Sequence, residues 1–162
     1  MNKDTQKIMF SSDRQDWETP QKDFEKWNEV YNFEIDLAAN KNNSKCGVNY
    51  LDEEINSLDV DWYTLTNGWM WLNLPYNKSK EFIEKCDKEA QKGAKIVCLL
   101  PARTDTIAFH THIYKKYEID LLKGRLKFEI NGKPIPIYNK KTKTFSGAQS
   151  APFPSMLVFF KK

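Results

Sequence analysis

Three cysteines and two histidines are few for a chain of 162 residues, and no apolar run is long enough to span a membrane. Cys46, Cys86 and Cys98 show no metal-ligand spacing, and an odd number argues against a disulfide framework. A reducing compartment, the cytoplasm, follows. His110 and His112 lie two apart and would fall on different faces of a helix, so no metal site is expected. The stretch from Met1 to Ser12 lacks the apolar core of a signal peptide. The Gly-x-Gly-x-x-Gly loop of nicotinamide and flavin sites is missing, and no internal repeat is visible.

What is present describes a packed globule: 40% hydrophobic and 14% aromatic residues. Residues 1–16 are polar and expected to be flexible, leaving 17–162 as a single domain with no separate target-recognition unit. The net charge of +3 hides an asymmetry. Residues 1–60 carry 13 acidic and 7 basic side chains (−6), whereas 61–162 carry 9 and 18 (+9). Between 121 and 145, Lys123, Arg125, Lys127, Lys133, Lys140, Lys141 and Lys143 face Glu129 alone. Such a pattern suits a polyanion bound on one side, or equally a solvated lysine-rich hairpin.

Periodicity predicts alternating elements. Thr19 and Pro20 open a helix through about Tyr31, with Thr19 as cap. A strand covers 33–37, a loop 40–50, and a short helix or turn 53–58. A buried strand at 69–73 leads into a helix near 78–92 stopped by Gly93. Lys95 to Leu100 is a second buried strand, and Thr104 caps a helix from Asp105 to about Lys116. Strands follow at 118–122 and 126–130, the latter joined to 133–138 through a tight Asn131-Gly132 turn. Residues 139–150 read as a mobile loop before a last strand, Met156 to Phe160. The pattern is that of an α/β sandwich, a mostly parallel sheet with helices on both faces.

The chemistry concentrates where the strand at 69–73 ends, in Asn73-Leu74-Pro75-Tyr76. Pro75 breaks the strand, and ligands of open α/β sheets bind at the carboxyl ends of strands. An amide oxygen from Asn73 and the main-chain carbonyl of Leu74 are two acceptors suited to the two hydrogens of an exocyclic amine. Pro75 stiffens the turn, and Tyr76 offers a ring face for a base. The plainer reading is a strand-capping Asn and a core Tyr.

Taken together these segments resemble the phage-encoded DNA adenine-6-amino methyltransferases, small enzymes that use S-adenosylmethionine. The likeness runs from about Trp17 to Phe160 through Trp17-Glu18-Thr19-Pro20, Ile35 to Ala39, Asn73 to Tyr76, Leu99 to Thr106, Gly124 to Phe128 and Ala151 to Ser155. It implies a Rossmann-like class I methyltransferase sandwich with a reversed last strand and a β-hairpin extension. It further implies direct in-line methyl transfer to the 6-amino group of a flipped-out adenine in double-stranded DNA. Asn73, Leu74, Pro75 and Tyr76 would be catalytic. Trp17, Thr19, Pro20, Asp36, Ala38, Ala39 and Asn56 would hold the cofactor, Asn56 standing where the family tends to have Asp. Asp36, Thr19 and Pro20 also admit a purely capping role. Arg103, Lys123, Arg125 and Lys127 would contact nucleic acid, although Arg103 has Asp105 nearby as an alternative partner. The family usually has Pro where Leu74 stands, a change that a backbone acceptor tolerates. The same turn is similar to that of ribosomal RNA adenine dimethyltransferases, whose Glu-x-Gly-x-Gly-x-Gly loop is absent here. An RNA methyltransferase and a catalytically silent nucleic-acid-binding module remain the competing readings.

Overall fold

A computed structural model describes residues 17–162, so the expectation for residues 1–16 lies outside the described residues. In chain order the elements are α1 (Gln21–Tyr31), β1 (Ile35–Asp36), β2 (Trp69–Asn73), α2 (Ser79–Lys92), β3 (Lys95–Pro101), α3 (Ile107–His112) and β4 (Glu118–Leu121). Two small hairpins follow, β5 (Glu129–Ile130) with β6 (Lys133–Pro134) and β7 (Ile137–Asn139) with β8 (Thr144–Ser146), and then β9 (Ser155–Phe160).

The main sheet has the order β1-β2-β3-β9-β4. β1, β2 and β3 are parallel, β9 runs against both β3 and β4, and β4 therefore points with the first three. This is a mixed, mostly parallel α/β sheet in which the last strand is the reversed one.

Side-chain alternation divides the core between the two faces. Met70, Leu72, Ile96, Cys98, Leu100, Met156 and Val158 pack beneath α2, which contributes Phe82, Ile83, Cys86 and Ala90, and beneath Phe109 of α3. Trp71, Val97, Leu99 and Leu157 point to the opposite face, where α1 supplies Phe24. Trp71 is wholly buried there, with the rings of Phe24, Trp27 and Phe33 at 5.3, 5.5 and 5.3 Å. Burying a large apolar side chain of this kind contributes roughly 1.5–3 kcal/mol. It anchors α1, and with it the segment Trp17–Pro20, over β2.

Several expectations shift. α1 begins one residue later than predicted: Pro20 occupies the cap position with extended backbone, and Thr19 makes no capping hydrogen bond. α3 is capped by Thr106, whose hydroxyl accepts from the Phe109 amide, and not by Thr104. It ends at His112 rather than Lys116, and Lys115 takes a left-handed φ of 61°. His112 and His110 indeed part company. His112 Nδ1 meets the Asp87 carboxylate at 2.8 Å, and His110 Nε2 the Thr104 carbonyl at 2.9 Å. The stretch 139–150 is not a featureless loop, because β7 and β8 pair within 137–146 and bring the Tyr138 and Phe145 rings together, tilted, at 4.9 Å. The Asn131-Gly132 turn forms as predicted, both residues at positive φ, but its strands are only two residues each.

Candidate functional site

The carboxyl ends of β1, β2 and β3 share one edge of the sheet, where Asp36, Asn73 and Pro101 end their strands and Ser155 opens β9 opposite Pro101. Across this edge lies the segment Trp17–Pro20. Its Glu18 backbone bridges to Glu129 of β5, with N···O distances of 2.9 and 3.0 Å.

Asn73 is held from one side only. Its Nδ2 donates to the Trp17 carbonyl at 2.9 Å, while Oδ1 is buried and has no partner. Donation fixes the amide so that oxygen, not nitrogen, is the free end. Six buried side-chain polar atoms lack a partner among the described residues. Four of them gather at this edge or on the overlying segment: Asn73 Oδ1, Trp17 Nε1, Thr19 Oγ1 and Ser155 Oγ. Native interiors leave few such atoms unsatisfied, and a cluster of four donors and acceptors fits a polar ligand.

Tyr76 begins a short 3-10 turn that runs into α2. Its ring meets Trp17 edge-on at 6.2 Å and Phe153 edge-on at 5.2 Å, and Phe128 lies 6.4 Å away. Trp17 itself stacks on Phe153 at 6.2 Å and tilts over Phe128 at 5.5 Å. Burial pushes the Tyr76 phenol well above its ordinary range, partly offset by the Arg103 guanidinium, so the ring stays neutral. Phe128 and Phe153 are site residues that sequence reasoning passed over as side chains. The alternation Arg125, Leu126, Lys127, Phe128, exposed and buried in turn, was the available signal.

Asp36 is buried, and its carboxylate accepts from the backbone amides of Ala38 at 3.3 Å and Lys45 at 3.0 Å. Burial raises its pKa to about 6 despite those bonds and the Lys45 charge. It therefore shapes the loop in which Ala38 and Ala39 sit, Ala39 donating to the Leu51 carbonyl at 3.0 Å. Burial, and then the Asp36 charge, push the Cys46 thiol up to about 12. Asn56 is exposed in a left-handed turn. Its amide is spent on the Asp59 carboxylate, and it makes no hydrogen bond to the Asp36 loop.

The basic residues are exposed. Arg103 forms no ion pair with Asp105 among the described residues and instead lies within electrostatic reach of Tyr76. Arg125 donates to the Ala151 carbonyl at 3.2 Å, tying its segment to the stretch before β9. Lys127 projects outward between Leu126 and Phe128, whose side chains face the aromatic cluster. Two surface clefts, about 560 Å³ beside Tyr138 and Lys140 and about 390 Å³ beside Tyr50 and Thr66, lie elsewhere and include neither Asn73 nor Tyr76. Among the described residues no three His, Cys, Asp or Glu side chains gather as a metal site, and no helix is long and apolar enough to cross a membrane.

The family model described as DNA N-6-adenine-methyltransferase (Dam) matches residues 6–162. A protein of Escherichia phage T1 named DNA N-6-adenine-methyltransferase is 30% identical over 100 residues, which is 62% of this chain and 41% of that relative. The alignment thus spans less than half of the relative's length. With the family model covering all but the first five residues, this chain belongs to the DNA N-6-adenine-methyltransferase (Dam) family.

Proposed function

We propose that the chain methylates the 6-amino group of adenine in double-stranded DNA, with S-adenosylmethionine as donor, on a Rossmann-like methyltransferase sheet. The observation that carries this reading is the Asn73 amide, oriented by the Trp17 carbonyl and left with a buried, unpaired Oδ1 beside an aromatic cluster.

The amine of adenine is a poor nucleophile because its lone pair is delocalised into the ring. Asn73 Oδ1 and the Leu74 carbonyl accept its two hydrogens, and that geometry favours a pyramidal nitrogen with its lone pair free. Tyr76 supplies a face for the base, with stacking worth about 1–3 kcal/mol. The base must leave the duplex to arrive there, at a cost of a few kcal/mol. Because Oδ1 is buried, the base must also displace a covering group. The Trp17 indole packs against Tyr76, Phe128 and Phe153, and its N–H is unpartnered. The remaining polar atoms suit the donor: Trp17 Nε1 is a hydrogen-bond donor, and Thr19 Oγ1 can donate or accept. Pro20 and the small Ala38 and Ala39, in the loop shaped by Asp36, complete that side. When bound, S-adenosylmethionine supplies an electrophilic methyl group, and positioning of the amine at about 3–3.5 Å from it provides much of the acceleration. Arg103, Lys123, Arg125 and Lys127 are the proposed phosphate contacts.

The test is to incubate the purified chain with tritiated methyl donor and plasmid DNA, then map modified adenines by sequencing, with structured RNA as a parallel substrate. Label in duplex DNA at adenine is the expected result. Label in RNA alone moves the assignment to an RNA enzyme, and none in either discards the transferase reading. Asn73→Ala should raise the barrier by about 2–4 kcal/mol, as loss of one oriented hydrogen-bond partner does elsewhere. An undiminished rate in that variant removes Asn73 from catalysis.

A further inference from the structure

Glu18 follows directly on the residue whose carbonyl orients Asn73, yet its own carboxylate, mostly buried, is committed to the turn of the β5–β6 hairpin. Oε1 accepts from the Asn131 amide at 2.8 Å and Oε2 from the Gly132 amide at 3.0 Å. Both turn residues have positive φ, and successive backbone N–H groups in such a turn form a cradle for an anion. Glu18 N and O pair with Glu129 O and N on the same hairpin. Four hydrogen bonds therefore fix residue 18, and the Trp17 carbonyl shares its peptide unit with the Glu18 N–H that donates to Glu129.

Trp17 differs. Its backbone is pinned through Glu18, whereas its indole makes apolar ring contacts with Tyr76, Phe128 and Phe153 and leaves its N–H unpartnered. The carbonyl on Asn73 Nδ2 is thus positioned by the backbone pairing of its own segment. Without the Glu18 anchor the segment carrying this carbonyl would be held less firmly, leaving the amide freer to rotate.

The structure assigns Glu18 as a positioning residue: it locks the Trp17 carbonyl to the β5–β6 turn, so that the Asn73 amide keeps its oxygen toward the substrate amine. This role rests on the methyl-transfer reading above, acts only through Asn73, and touches neither substrate.

Steady-state kinetics with S-adenosylmethionine and adenine-containing duplex DNA test it, with kcat expressed per donor-binding site so that only folded protein is counted. Glu18→Ala should lower kcat by about 10- to 100-fold, as small misplacements of reacting groups do. KM for S-adenosylmethionine should stay within about twofold of wild type. Glu18→Gln still accepts one of the two amides and should fall between, and it carries the comparison if the alanine variant does not fold. In an Asn73→Ala background, Glu18→Ala should cause no further fall in kcat, because the group it positions is gone. Active wild type with unchanged kcat in both Glu18 variants overturns the assignment alone. So does an additional loss in the Asn73→Ala background, or a rise in KM with kcat intact. A wild-type chain that transfers no methyl group to DNA overturns the underlying reading and this one with it.

Discussion

Burial of the Asp36 carboxylate makes folding stability respond to pH in an unusual direction. The group is only 3% exposed, and its pKa rises from the ordinary 3.8 to about 6, so no discount for solvent screening applies. Between about pH 4 and pH 6 the folded chain binds more protons at this site than the unfolded chain does. Stability therefore falls as pH rises through that window and levels off above it. Each pKa unit corresponds to about 1.36 kcal/mol, so a shift of about two units amounts to about 3 kcal/mol. Asp87 and Glu89 act with the opposite sign. Burial is outweighed at each by hydrogen bonds that hold the pKa low, Glu89 at about 2, so their contribution is lost as pH falls below the ordinary 4.5 for Glu89 and 3.8 for Asp87. Urea unfolding at half-unit steps from pH 4 to pH 7.5, for wild type and Asp36→Asn, separates the two effects. The wild-type minus variant difference should slope downward by about 3 kcal/mol across the window. At pH 7 the variant should be near neutral in stability. It escapes burying a charge but offers one amide oxygen to two backbone N–H groups, at a cost of roughly 1–3 kcal/mol. A difference that stays flat between pH 4 and pH 6 would refute the claim that the carboxylate ionises against its burial.

Other outcomes follow from the same geometry. Tyr76→Ala should weaken DNA binding while leaving S-adenosylmethionine affinity nearly unchanged, as separate titrations by calorimetry and anisotropy would show. Equal losses in both would place the ring on the donor. Gly93→Ala should destabilise by more than about 1 kcal/mol, measured by thermal melting, because the position needs φ +116° and an added Cβ would meet the Tyr63 ring at 3.1 Å. Glu89→Ala leaves Lys85 without its carboxylate partner and the Tyr63 amide without its acceptor, while Lys92 keeps Asp61, and should cost about 3 kcal/mol in urea unfolding. If Lys123, Arg125 and Lys127 each neutralise one phosphate, replacing all three with alanine should flatten the logarithmic salt slope of DNA binding by about 0.9 per contact. A slope unaltered in the triple variant takes those residues off the DNA.

The parts of the fold that were legible in sequence are those set by strong local chemistry. β2 ends at Asn73 as predicted because Pro75 follows, and α2 ends at Gly93 because a left-handed closing residue was needed. Asn131-Gly132 encodes its turn in two residues. The sequence points to Thr104 as the cap of α3; Thr106 takes that place, its hydroxyl holding the amide of Phe109, whose ring packs into the core. The polar run Lys140–Lys143 hides the β7–β8 hairpin, whose pairing depends on Tyr138 and Phe145 meeting across a turn. Of the site, the Asn73 to Tyr76 turn is local and was readable. The grip of Trp17 on Asn73 spans 56 residues, and that of Glu18 on Gly132 spans 114. No local pattern announces contacts at that separation.

The placement of β9 has a consequence for how the chain acquires its shape. It is C-terminal to every other described strand yet sits fourth in the sheet, hydrogen-bonded on both sides. β4 therefore has no neighbour until a segment more than thirty residues downstream has been synthesised and threaded in beside β3. Such long-range closure is slow, and until then the edge of β3 is open to any other extended peptide. The folding chain is therefore most vulnerable to aggregation before Ser155–Phe160 pairs with both neighbours, and a chaperone that shields β3 until then would help it most.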